Sequence, residues 1–188
     1  MKTRMKALLM SGLLGASSLA LAHVGADAGA HHGFTDGLTH PFTGLDHLAA
    51  MLAVGIWSAG SARRAWVAPL MFVVMLLAGA LLAKAGVTFP AIETMIAASL
   101  IAGGALLLSP KQLPVLAGSF AMGGFALFHG AAHGQELSGA GAMAGMVLGT
   151  AVLHGLGIVL GVKMRRQSLW LPRIAGAVIA LLGMGLLA

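Results

Sequence analysis

The chain has 188 residues, of which 59% are hydrophobic and only 9% charged. A water-soluble domain carries roughly a quarter charged residues, so this composition excludes an ordinary wet globular surface and points to lipid as the surrounding medium. The formal net charge of +6 sits at the start of the chain and in short gaps between apolar runs, a pattern of membrane topology signals rather than of a nucleic-acid-binding stripe.

In chain order, Lys2, Arg4 and Lys6 form a basic start, an apolar stretch follows from Ala7, and Ala20-Leu21-Ala22 supplies small residues at a cleavage spacing. Residues 1–22 therefore read as a cleaved secretory signal peptide, too short for a full span. Cleavage places the mature end, near His23, outside the cytoplasm. Residues 23–43 read as a polar periplasmic segment bearing His23, His31 and His32. His23 is a candidate for gathering metal, though a solvated histidine-bearing tail is an equal reading.

Residues 44–188 read as one membrane domain. Apolar runs lie near Gly44–Gly60, Trp66–Ala83, Ala91–Leu108, Leu113–His133, Gly139–Val162 and Leu171–Leu187. Each is close to the ~20 residues that cross the hydrocarbon core. The fold class is thus all-α, a polytopic bundle of about six transmembrane helices. Pro69, Pro90, Pro110, Pro114 and Pro172 fall near the ends of the runs, where a missing backbone donor does little harm.

Orientation has an independent check. With the mature N-terminus outside, the loops after runs one, three and five face the cytoplasm. They carry Arg63 and Arg64, Lys111, and Lys163, Arg165 and Arg166, whereas the opposite loops carry only Lys84. That is the positive-inside pattern, and it implies a multi-pass protein of the bacterial inner membrane.

The 28 glycines include Gly141, Gly145 and Gly149, then Gly157 and Gly161, at intervals of four. Small residues at this spacing let helix backbones approach closely in lipid. Packing within the chain is the plainer reading, and a homo-oligomer face the alternative. The 12 methionines read as apolar filler rather than Cu(I) ligands. With no cysteine, any metal must be held by nitrogen, oxygen or thioether ligands.

Ionisable groups inside spans are costly and mostly functional, and here they cluster. Run one opens with His40, Asp46 and His47. Run four ends with His129, His133 and Glu136. Glu93 begins run three. Run one enters from outside, run four runs outward and run three begins outside, so all of these residues come to one side of the membrane. His129 and His133 are four apart and Glu136 three further on, so one helix face carries all three if the helix continues through Gly134. A His pair at that spacing can grip one divalent ion, and nearby carboxylates compensate its charge. A buried polar network that only packs helices is the bland alternative. His154 lies deeper in run five. A lone histidine on an apolar helix is ordinarily a hydrogen-bonded structural residue, and His154 reads that way, with a place along an ion path as the alternative. Residue types and spacing alone indicate a metal or proton site in a membrane bundle.

Two motifs narrow this. His40, Pro41, Gly44, Asp46, His47, Ala50 and Met51 match a signature of the form His-Pro-x-x-Gly-x-Asp-His-x-x-Ala-Met. Residues from Phe128 to Glu136 match Phe-His-Gly-x-Ala-His-Gly-x-Glu. With these motifs and its run pattern, the chain resembles the HupE/UreJ family of hydrogenase- and urease-associated membrane proteins. The resemblance implies a nickel (or cobalt) permease that feeds metalloenzyme assembly and is not itself an enzyme. It also implies that His40, Asp46, His47, His129, His133 and Glu136 are the functional residues. The metal is then cargo, with no resident cofactor, and the partners are the ion and the bilayer. An intramembrane metal-dependent enzyme built on the same cluster is the rival, and a metal-binding subunit that passes no ion is a second. No Walker A pattern occurs, so the chain has no ATP motor of that kind.

Overall fold

The computed structural model describes residues 33–61 and 63–188. The described residues form seven α-helices: α1 (Phe34–Thr43), α2 (Leu45–Ser58), α3 (Val67–Lys84), α4 (Ile92–Leu108), α5 (Val115–Glu136), α6 (Gly139–Gln167) and α7 (Trp170–Gly185). The signal-peptide expectation, His23, His31 and His32 lie outside the described residues. Helices α2 to α7 fall on the six apolar runs. Three of them, α3, α5 and α6, are long and apolar enough to cross a membrane by length and composition.

Within the segment that reads as polar and periplasmic, residues 34–43 form α1. The cause is the glycine stripe of α6. A Cβ at Gly145 would overlap the Phe34 carbonyl, and one at Gly149 would press on the Leu38 carbonyl. Bare backbones therefore pack α1 directly onto α6. Further along, Gly157 and Gly161 admit the α2 backbone near Gly55 and Ile56. Helices α1 and α2 thus follow one another along α6 in the same direction. The glycine spacing serves packing within the chain.

Between α1 and α2 the chain breaks. Pro41 lies inside α1, where it withholds the hydrogen that would reach back one turn, and Gly44 is extended with φ −86° and ψ 120°. At 14 residues, α2 is only about 21 Å long, and α1 extends the same path. Helix α2 touches every other helix and buries Asp46, His47 and most residues from Ala50 to Ser58. Around it α3 packs mainly on α5, and α4 on α7.

The bundle buries a cluster of polar groups within an apolar core and is apolar outside. Asp46, His47, His129, His133, Thr150 and His154 are buried, while Leu70, Val74, Leu81, Val152, Leu156, Val178 and Leu181 are exposed. Water would penalise that much aliphatic surface; hydrocarbon does not.

Candidate metal site

The break at Gly44 sets up the first half of the site. Asp46 lies in the first turn of α2, where the unpaired amides of the helix start favour a carboxylate. Its Oδ1 accepts from the His47 backbone N–H at 2.8 Å and from His47 Nδ1 at 3.0 Å. An imidazole that donates Nδ1–H to a carboxylate keeps its lone pair on Nε2. Asp46 therefore fixes the His47 ring and its tautomer, as carboxylates behind metal-binding histidines do.

Helix α5 supplies the second half. It stays helical through Gly134 to Glu136, so the one-face expectation for His129, His133 and Glu136 has the helix it needs. His129 and His133 are completely buried. Lys84 Nζ donates to the Leu137 carbonyl at 2.6 Å, tying the end of α3 to the end of α5. A cation is favourable at that helix terminus. The motif residue Phe128 turns its ring onto Phe89, with centroids 5.8 Å apart, and so braces the helix from outside the histidine cluster.

The two halves meet. The imidazoles follow in the order His40, His133, His47, His129, with successive ring centroids 4.8, 4.4 and 4.9 Å apart. At the accessible end His40 Nε2 donates to Glu136 Oε2 at 3.0 Å, and His133 Nδ1 lies 3.9 Å from the same oxygen. One ligand atom each from His40, His133 and Glu136 falls within 4.8 Å of the others. An ion bound to imidazole nitrogen at about 2.1 Å would draw them closer. His40 is 17% and Glu136 36% exposed, against zero for His133. The row therefore runs from a partly open mouth into the dry centre.

The hydrogen-bond pattern implies which nitrogens can receive an ion. Ser99 Oγ on α4 donates to the Ile96 carbonyl at 2.6 Å, so at 2.9 Å from His129 Nε2 it can only accept. His129 then carries its hydrogen on Nε2 and its lone pair on Nδ1, and Nδ1 has no hydrogen-bond partner among the described residues. Neither nitrogen of His133 has one. A buried polar atom left unpaired costs about 1–3 kcal/mol, which is unfavourable for packing alone and sensible for atoms that receive a ligand.

Of the remaining candidates, Glu93 is exposed at the first turn of α4. It lines a recess with Phe89, Ile92, Thr94, Gln135 and Glu136, beside the mouth but outside the histidine row. His154 is also outside the row; Phe72 lies against both His129 and His154, with centroids 5.7 and 5.2 Å away. Sequence reasoning missed Ser99, Lys84 and Phe72 at this site. One serine, one lysine at a helix end and one phenylalanine in an apolar run carry no local signal of their partners.

Comparison with known proteins agrees with the motifs. The family model for HupE / UreJ protein matches residues 11–186. "Protein HupE" of Rhizobium leguminosarum bv. viciae is 38% identical over 176 residues, covering 90% of this chain and 91% of the relative. No solved structure matches the chain.

Proposed function

The chain belongs to the HupE/UreJ family, and on that premise we propose that it is a multi-pass permease of the bacterial inner membrane for a divalent transition metal, nickel first and cobalt second. The observation that carries this reading is the row of four touching imidazoles with two carboxylates, open at one end and enclosed by an apolar-skinned bundle. In this reading residues 1–22 are a cleaved signal peptide, residues 23–43 are a periplasmic segment, and six spans follow. The mouth at His40 and Glu136 faces the periplasm. Glu93 in the adjoining recess adds negative charge at the approach.

His40, His133 and Glu136 take the ion first, and binding displaces the hydrogen between His40 and Glu136. His47, oriented by Asp46, and His129, oriented by Ser99, receive it next. The carboxylates compensate a dipositive ion that the dry interior would otherwise reject. Imidazole with carboxylate suits borderline divalent ions such as nickel and cobalt. An inside-negative potential contributes about 4.6 kcal/mol per 100 mV for a dipositive ion, equivalent to more than about a thousandfold accumulation. Accessory proteins of hydrogenase and urease, as the family resemblance implies, have use for such a supply, and this does not favour the metalloenzyme alternative.

The test is initial flux into liposomes containing the purified full chain, at fixed potential, with nickel, cobalt, zinc and copper compared. Nickel flux above protein-free vesicles is expected. Only neutral imidazole binds metal, so protons compete with the ion. Lowering the outside pH from about 8 to 5 should reduce flux at low nickel, and saturating nickel should restore most of it. Flux that rises on acidification would instead require proton-coupled import.

Orientation is checked separately. Reporters fused after Arg64 or Arg166 should read as cytoplasmic, and one after Leu137 as periplasmic. The inverse pattern would turn the mouth inward and remove the uptake reading.

A further inference from the structure

One buried histidine lies outside the row. His154 on α6 is 2% exposed, and neither of its ring nitrogens has a hydrogen-bond partner among the described residues. The ordinary expectation for a lone histidine on an apolar helix, a satisfied structural group, does not hold here. One turn earlier Thr150 is completely buried, and its Oγ1 also has no hydrogen-bond partner among the described residues. Buried helical hydroxyls normally bond back to the preceding turn. Ser58 and Ser119 do so, to Val54 and Val115, at 2.7 Å each. Thr150 does not.

Residues four apart share a helix face, so unmet imidazole and hydroxyl groups lie together inside the bundle. Their position follows on from the row. Phe72 touches both His129, the innermost member, and His154. Across from this turn of α6, Gly55 brings the α2 backbone against the His154 carbonyl. Gly55 is eight residues beyond His47, about 12 Å along α2. Valine at 150 and leucine at 154 would fill the same space with no unmet polar atom, so packing does not account for the pair.

We propose that His154 and Thr150 form a second, inner station for the transported divalent metal ion, offering one imidazole nitrogen and one hydroxyl oxygen. This rests on the permease reading above. Among the described residues the station has no carboxylate, whereas the outer row has Asp46 and Glu136. It therefore holds a dipositive ion more weakly, and an ion leaving the row steps from a charged site to a neutral one nearer the cytoplasm. Conduction needs binding that is weak enough, or spread over enough sites, to let the ion leave. A nitrogen ligand selects borderline transition-metal ions over magnesium or calcium.

The experiment uses the full chain in liposomes with nickel as the probe. It measures initial flux at saturating nickel, equilibrium nickel binding and thermal midpoint for His154→Leu, Thr150→Val and Thr150→Ser. His154→Leu is expected to slow flux at least about tenfold while nickel binding at the outer row changes less than about twofold, the pattern of a step after binding. Thr150→Val should slow flux severalfold, and Thr150→Ser should recover most of the loss. Wild-type flux in His154→Leu overturns the inner station and leaves the permease reading standing. Loss of binding in parallel with flux also overturns it, because His154 would then act through the outer row. Should His154→Leu lower the thermal midpoint, the threonine pair decides: equal flux in Thr150→Val and Thr150→Ser overturns the proposal. Absence of flux for the wild type with any metal removes the permease reading itself.

Discussion

Replacing His133 with alanine should reduce nickel flux at sub-saturating nickel by at least about 100-fold, because loss of a group that merely orients a ligand already reduces metal affinity 10–100-fold. His133 is the middle of the row. Its ring stands 4.8 Å from His40 and 4.4 Å from His47, so its removal parts the mouth from the interior. No hydrogen bond to the described residues is lost with the ring, so the cost to stability is the cavity that a completely buried side chain leaves. Ligand binding raises the thermal midpoint by linkage, so nickel should stabilise the wild type and fail to stabilise His133→Ala. Graded losses should follow in the supporting groups. Asp46→Asn removes the acceptor that holds His47, and a loss of about 10–100-fold is expected. Ser99→Ala removes one neutral hydrogen bond from His129, worth about 1 kcal/mol, or severalfold. Flux in His133→Ala within twofold of wild type would show that the row is not the path.

A large structural effect should come from Gly145→Val. A Cβ there would overlap the Phe34 carbonyl and lie 2.7 Å from the Leu38 nitrogen. Both are backbone atoms, and no rotamer change can move them aside. Helix α1 must lift from α6, at about 3 kcal/mol, the upper end for overpacking. His40 travels with α1, so its 3.0 Å contact with Glu136 should be lost as well. The expected outcome is a lower thermal midpoint together with weakened nickel binding. Gly155→Val is the control on the same helix, because a Cβ at Gly155 meets nothing within 4 Å. Equal midpoints for the two variants would show that α1 is not seated on the glycine stripe.

Much of this protein is determined by local sequence. An excess of apolar residues with so few charges points to lipid-facing helices, and six helices fall on the six apolar runs. His129 and His133 share a face because the helical repeat is a property of consecutive residues, and α5 runs unbroken past Gly134. The clustering of His40, Asp46 and His47 with α5 was legible too, since alternating chain direction brings the start of one run beside the end of another. Tertiary structure alone decided the partners. His129 meets Ser99, 30 residues away, and His40 meets Glu136, 96 residues away. Those meetings depend on how helices cross, which no window of sequence contains. The break at Gly44 was written as a Pro41–Gly44 pair, but its consequence was not. Residues 34–43 carry enough polar groups to resemble a tail. They become a helix because glycines more than a hundred residues later leave a bare backbone to pack against. His154 was visible as an oddity in an apolar run, and its lack of a hydrogen-bond partner among the described residues could be known only once every neighbouring helix was in place.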